Sequence, residues 1–461
     1  VPDAGWALGE VVACDAAAPA TWTLEETGIE TYVSGAPLAV EPGGVGLVSV
    51  GDEPWLVWTP PGTPPRGRPL AGGDARDLSA FPAAGVAQAD LDADGATDLI
   101  LPGDHLTILW GFGTEDESAF EAPITGGRFL RDAVASDFDG DGTLDMLLGY
   151  STPNHEDLDA MHLELWRGRG GREFEVQVLD VGGLTFDLTA GDLDGDADPD
   201  LYVCNDFGTT VVPNFFLENV DGALVLHADV GLDLVVSCMG TAVGDTTHTG
   251  ALDLLVAASE HTALLEGPNW VDSAGARGIP VPPPREMGWG AAVQDMDGDG
   301  RAEVVLATSD FATPSLRSYP IYWYRQAADG TFSDVGAEMG LRDAAGRGVI
   351  AHDIDKDGIP ELIVGDVLRS PWVYRSNGCS PNAWLTVDGP VGSVVRVTAG
   401  GVTHTALLTY DSGWASTRPS TALFGLGETD TIDRVELTPP WGDTVAIEGP
   451  LEPRRNIAWT P

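Results

Sequence analysis

DLDADGATD at Asp90–Asp98 has four further copies in the same frame: DFDGDGTLD at Asp137–Asp145, DLDGDADPD at Asp192–Asp200, DMDGDGRAE at Asp295–Glu303 and DIDKDGIPE at Asp353–Glu361. Acids stand at positions 1, 3 and 5, a small residue at 6 and a further acid at 9, and the carbonyl of position 7 is one more oxygen. Convergent oxygens in this spacing are what a hard cation of calcium's size requires. The frame therefore predicts about five Ca2+ sites. Their side-chain ligands are Asp90, Asp92, Asp94 and Asp98; Asp137, Asp139, Asp141 and Asp145; Asp192, Asp194, Asp196 and Asp200; Asp295, Asp297, Asp299 and Glu303; and Asp353, Asp355, Asp357 and Glu361. Ion cages repeated in this way normally rigidify the link between two strands, so a structural role for the metal is the plainer reading.

Apolar segments flank every loop. A Gly/Ala-rich strand precedes it, and a second strand follows, as in DLILPG at 98–103 and DMLLGY at 145–150. A third contains or ends in aromatics: LTILWGF (106–112), LELWRG (163–168), NFFLEN (214–219), IYWYRQ (321–326) and WVYRSN (372–377). A fourth, outer strand is suggested where DGALVLHADVGL (221–232) and DGTFSDVGAEMGL (329–341) match in register. Four strands per unit is the mark of a propeller blade. Two eroded units complete the count. DTTHTGALD at Asp245–Asp253 has Thr247 and Thr249 in place of two acids and is expected to bind calcium weakly or not at all, and GLVSVGDEPWLVW at 46–58 keeps the strand pair around Asp52 without an acidic loop. Seven blades are expected.

The ends suggest how the ring closes. TWTLEETGI at 21–29 has the outer-strand pattern yet precedes the first blade, whereas the last blade stops after WVYRSNG without an outer strand. The N-terminal strand can fill that place and remove the open edges. This gives a propeller over 1–378 and a small β domain over 379–461. Four cysteines allow three pairings. Cys14 with Cys379 would clasp the closure, and Cys204 with Cys238 would join neighbouring strands.

A formal charge of −49 argues against nucleic acid or an anionic membrane as partner. Five bound calcium ions would reduce it to about −39. No apolar run is long enough to span a bilayer. The N-terminal VPDAGWALGE has neither a basic region nor an apolar core, so an export signal is expected to have been removed already. An even cysteine set and low-affinity calcium loops point outside the cytosol, to secretion, a cell surface or a periplasm.

In these repeats the chain resembles the FG-GAP/VCBS class of calcium-binding propellers, the architecture of integrin alpha-subunit heads. CNDFG (204–208), CMGTAVGD (238–245) and DGTFSDVGAEMGL are similar to one subgroup, which carries a C-terminal ASPIC/UnbV domain, as in cartilage acidic protein and its bacterial homologues. The tail follows that domain's order with NAWLTVDG (382–389), GGVTHTALLTYDSGW (400–414), LFGLG (423–427), IDRVEL (432–437) and PPWGD (439–443). It departs in a shorter GPVGSVVRV segment and in PPWG, where a Trp-Pro-x-Gly run is usual. The resemblance implies an all-β fold, and it carries no common catalytic motif.

A second polar set falls where each second strand ends: Asp104 and His105, His155, Asp206, Glu260 and His261, Asp310, and Asp366. A strand separates these residues from the acidic loops, which places them on the opposite face, near a central funnel. They are candidates for a ligand funnel or, in the sharper form of His105, His155, His261 and Asp206, a transition-metal site. Turn preference accounts for Asp and Asn there equally well. Trp58, Trp110, Trp166, Trp323 and Trp372 read as third-strand core residues, and Trp270, Trp289, Trp414 and Trp441 remain free to stack on a sugar. Hydrolase, zincin and P-loop signatures do not occur, and Lys356, inside a loop, is the chain's one lysine. The expected function is that of an extracellular binding, adhesion or structural-assembly module that contacts a protein or glycan or self-assembles. Its rival is a polysaccharide lyase or hydrolase, or a lectin, with its site in the funnel.

Overall fold

The computed structural model describes residues 5–14, 21–25, 43–152, 160–228, 230–310, 317–377 and 379–460. Strands dominate, and no α-helix forms among these residues. Nine four-stranded sheets assemble, seven of which are antiparallel units taken nearly in chain order. Their first strands are Val45–Val50, Ala87–Ala89, Phe129–Ser136, Leu184–Gly191, Cys238–Gly244, Met287–Gln294 and Gly346–His352. These pack on one another around a ring, the seventh against the first, and so form the inner wall of a propeller. The number of sheets is consistent with the seven blades expected from the repeats.

The alternation of side chains explains why the second strands read as unbroken apolar runs. In Asp145–Ser151, Met146 and Leu148 join the core shared with blade 2, while Leu147 joins the core shared with blade 4. Both faces of each sheet are therefore dry, as the period of two requires for a strand held between two neighbours. Clusters built on Val57 and Leu99 and on Val45 and Ile363 join blade 1 to blades 2 and 7. Trp58 is buried, but on the second strand of blade 1 (Glu53–Trp58), because that blade's first turn is a tight hairpin that shortens the unit.

Blade 7 takes its outer strand from the N-terminus. Thr21–Glu25 pairs antiparallel with Trp372–Asn377, and Trp22 packs edge-on against Trp323 at 4.7 Å. The rest of 26–29 lies outside the described residues. Cys14 is bonded to Cys379 and Cys204 to Cys238.

The tail is a two-sheet domain. One sheet holds Ala383–Asp388, Thr421–Gly427 and Arg455–Thr460, and the other Val394–Ala399, Val402–Leu407, Ile432–Thr438 and Val445–Leu451. The first sheet gains a fourth strand from Gly5–Leu8, which pairs with Arg455–Thr460. The N-terminal residues are thus divided: Gly5–Leu8 belongs to the tail and Thr21–Glu25 to the propeller, although the sequence reading places all of 1–378 in the propeller. Trp6, whose ring packs against the tail core, is the apolar anchor of that added strand.

Candidate functional site

In each complete loop the first acid turns the chain onto itself. Asp295 Oδ1 and Oδ2 accept from Gly298 N (2.7 Å) and Gly300 N (2.8 Å), and Asp353 does the same for Asp357 N (3.0 Å) and Gly358 N (2.9 Å). The ninth acid braces the loop to two strands. Asp98 accepts from Leu91 N (2.9 Å) and Gly111 N (2.8 Å), and Asp145 accepts from Phe138 N (3.0 Å) and Gly168 N (2.8 Å). One carboxylate oxygen from each of three residues then converges within 4.8 Å: Asp90, Asp92 and Asp98; Asp137, Asp139 and Asp145; Asp192, Asp194 and Asp200; Asp295, Asp297 and Asp299; and Asp353, Asp355 and Asp357. Such all-oxygen groups can hold a hard metal ion. Asp94, Asp141, Asp196, Glu303 and Glu361 stand outside these closest triads, and the two glutamates act in the bracing position through Met296 N (2.8 Å) and Ile354 N (3.0 Å).

Burial and mutual repulsion push these acids up: Asp98 to about 6, Asp145 to about 7, Asp200 to about 8 and Asp295 to about 8. Guanidinium groups offset part of the charge. Arg172 lies 2.8 Å from Asp92, Arg167 3.1 Å from Asp139 and Arg325 3.0 Å from Asp297.

The axis of the propeller is filled from the same side. Residues 408–420 of the tail leave its second sheet and enter the channel. Thr417 pairs with the inner wall of blade 1 through Val45 O (3.1 Å) and Leu47 N (2.9 Å), and Ala415 O accepts from Val86 N (3.1 Å). Ser412 Oγ donates to Val349 O (2.9 Å), and Trp414, fully buried, packs edge-on against Trp289 at 5.4 Å. Asp411 accepts from Thr189 Oγ1 (3.5 Å) near the buried Asp132 and Asp187, whose carboxyls burial and the neighbouring Asp411 push well up.

Beyond Trp414 a second layer closes the channel. The inner strands of blades 3 to 7 each carry a β-bulge around Arg131, Phe186, Met239, Trp289 and Arg347. A bulge re-aims a side chain, and here it brings several of them together. Arg131 lies over Phe186 at 4.2 Å, Arg347 over Trp289 at 3.5 Å, and Phe186 and Trp289 are 6.3 Å apart. All five are buried. Each stands six residues before the first acid of its loop, a regularity the sequence reading missed.

The FG-GAP-like repeat model matches residues 137–203 and 295–364, and the ASPIC and UnbV model matches residues 389–450. The chain thus carries FG-GAP-like repeats in its propeller and an ASPIC/UnbV domain in its tail. No curated protein matches it. Among solved structures it is similar to BBS1N in complex with ARL6DN (10% identity, TM-score 0.49, covering 77% of this chain and 97% of that one). It is also similar to an Agrocybe aegerita lectin described as recognising non-reducing terminal N-acetylglucosamine (13%, 0.43, 71% and 91%) and to the Dos1 propeller (10%, 0.45, 76% and 81%). The strand pairings themselves define the propeller.

On the far face of the propeller the second polar set is dispersed. His105 stacks on Phe81 at 3.5 Å, and Asp104, beside it, is exposed. Asp206 accepts from Phe207 N (2.6 Å), and Glu260 accepts from Ser237 N (3.0 Å) and Oγ (2.8 Å). His261 pairs with Asp272 at 2.6 Å, Asp310 accepts from Tyr319 Oη (3.2 Å), and Asp366 accepts from Leu368 N and Trp372 Nε1 (both 2.7 Å). His155 lies outside the described residues. Each partner belongs to the residue's own blade or an adjoining turn, and the described members are not brought together in any metal-binding group. The open funnel expected from the sequence is closed by the plug and the bulged side chains.

The tryptophans kept as sugar platforms are also accounted for. Trp289 and Trp414 fill the axis, Trp270 is buried in the core of blade 5, and the partly exposed Trp441 lies on Gly140 of an acidic loop. The UnbV domain sits on the face that carries the acidic loops, not apart from it. One histidine pair appears instead at that junction: His248 of the eroded loop meets His404 of the tail edge-on at 5.0 Å.

Proposed function

We propose that this chain is a calcium-stabilised extracellular binding or assembly module, whose partner surface is the rim and far face of the propeller rather than its axis. The observation that carries this reading is the filled channel: Trp414 and the bulged side chains take the place a deep funnel would need. The five all-oxygen groups suit calcium by donor chemistry. Two disulfides suit an oxidising compartment, and no helix among the described residues is long and apolar enough to cross a membrane.

The rim also leaves apolar side chains exposed. Val176 and Val178 on the outer strand of blade 3 and Leu226 on that of blade 4 are each about half exposed, at 50, 58 and 52%. Leu226 lines a groove together with Val181, Val212 and Phe215, and this apolar rim favours a protein over a glycan as partner. Metal analysis of the purified protein is expected to find about five calcium ions per chain. The thermal midpoint is expected to fall in chelator, since apposed carboxylates repel without their ion, and an unchanged midpoint would refute the calcium reading. The rival polysaccharide-acting enzyme is tested with Asp206→Ala and His261→Ala on a panel of acidic and neutral glycans. Turnover by the native chain that these substitutions abolish would overturn the module reading.

A further inference from the structure

The outward side of the acidic loops is itself a docking surface, and its partner is the chain's own UnbV domain. Loop after loop gives the tail a backbone carbonyl. Trp441 Nε1 donates to Asp137 O (2.8 Å) and Trp441 N to Ala197 O (2.8 Å). Arg396 Nε donates to Gly250 O (3.3 Å), Asn382 Nδ2 to Gly298 O (2.9 Å) and Ser380 N to Asp357 O (3.1 Å). These acceptors lie at positions 1, 6, 6, 4 and 5 of five different loops, so none is the position-7 carbonyl that an ion would take.

The fit is close enough to depend on loop shape. A Cβ at Gly358 would come within 2.2 Å of the Trp384 ring, and one at Gly140 within 2.9 Å of Trp441. On the tail side, a Cβ at Gly425 would stand 1.8 Å from Asp295 Oδ2. The tail thus reads the backbone of the loops, and four of the five contacted loops carry a complete set of acids.

We infer that ion occupancy of the loops controls docking of the UnbV domain and, with it, insertion of the Trp414 plug. This rests on the calcium reading proposed above. With the ion bound, each loop holds its carbonyls in the positions the tail uses. Without it, three carboxylates within 4.8 Å of one another repel, and hydrogen bonds of about 2.9 Å weaken steeply with small displacements. The tail has a defined pivot for leaving. Gly5–Leu8 moves with it as part of its sheet, and the Cys14–Cys379 bond ties together the two chain crossings between the domains. Linkage makes the coupling reciprocal: a docked tail raises the loops' affinity for calcium.

The test uses the full chain. Bound calcium is counted by metal analysis, and the radius of gyration by X-ray scattering and tryptophan emission are followed as chelator is added and calcium restored. The expected result is expansion and a red shift on chelation, both reversed by calcium. A second measurement compares calcium affinity in the native chain and in the Asn382→Ala/Arg396→Ala/Trp441→Ala variant, which leaves every loop acid in place. It is expected to bind calcium roughly fivefold or more weakly. This comparison stays decisive if chelation unfolds the whole chain. A chain that binds no calcium overturns both readings. A chain that binds calcium, keeps its dimensions when stripped and shows equal affinity in the variant overturns the docking inference alone.

Discussion

Asp411 shows what burial does to one side chain at the domain junction. It is carried by the plug, accepts from Gly413 N (3.0 Å) and Thr189 Oγ1, and is pushed up to about 7 by burial. Its folded carboxyl therefore holds a proton to a higher pH than the unfolded one, whose value is about 3.9. A raised acid contributes fully below about pH 4 and loses that contribution as pH rises through about 7. Asp411→Asn keeps the oxygen acceptor and removes the charge. In fixed calcium it is expected to match the native chain near pH 3.5 and to exceed it at pH 8 by a few kcal/mol at most, read by denaturant unfolding. Equal stability at both values would show that the carboxyl is not held neutral. His404 works in the other direction. Burial lowers it to about 4, so acidification below its ordinary 6.5 disfavours the docked tail. None of this could be read from DSGW or THT in the chain, because burial of these residues depends on which domain covers them.

The acidic loop is the element on which most of the reading turned. Four acids per copy suggest a set of equivalent ligands, yet positions 1 and 9 spend much of their hydrogen-bonding capacity on backbone N–H groups. The eroded loop makes the division visible. It retains Asp245 and Asp253 while Thr247 and Thr249 replace the acids at positions 3 and 5, and Asp253 still accepts from Thr246 N (2.8 Å), Thr246 Oγ1 (2.7 Å) and Gly267 N (3.1 Å). Loss of the acids at positions 3 and 5 and retention of the braces thus separate by position. Asp253→Ala leaves three donors without their acceptor, and a loss of about 2–4 kcal/mol is expected in equilibrium unfolding. Thr247→Asp/Thr249→Asp restores the missing acids and should add one calcium ion to the count per chain; an unchanged count would mean that the loop's shape, not its charge, is deficient. The motif was legible because its spacing is local. The bracing roles were not, because their partners, such as Gly111 and Gly267, stand just past third strands that only the fold brings near.

At the scale of the molecule, closure depends on both ends of the chain. The N-terminal segment gives one strand to the tail and one to blade 7, and the Cys14–Cys379 bond spans 365 residues. Cys14→Ser/Cys379→Ser is expected to lower stability by about 2–5 kcal/mol, with the first loss seen as protease cutting near residues 378–382. Unchanged stability and cutting would mean that strand pairing alone holds the ring. The repeats and the even cysteine set marked the blade fold, the acidic loops and the tail family, since each is written in short-range spacing and alternation. Where the tail lies was not written there. The spacing of the repeats implies a funnel and free tryptophans, and packing places Trp289 and Trp414 inside that funnel instead. Sequence alone determined the units and their clusters of convergent acids because those rest on neighbours within a loop or a hairpin. Only the tertiary structure decided which face the UnbV domain covers and that the axis is filled, because that outcome rests on contacts between segments hundreds of residues apart, where bulged strands and small residues leave room for one particular plug.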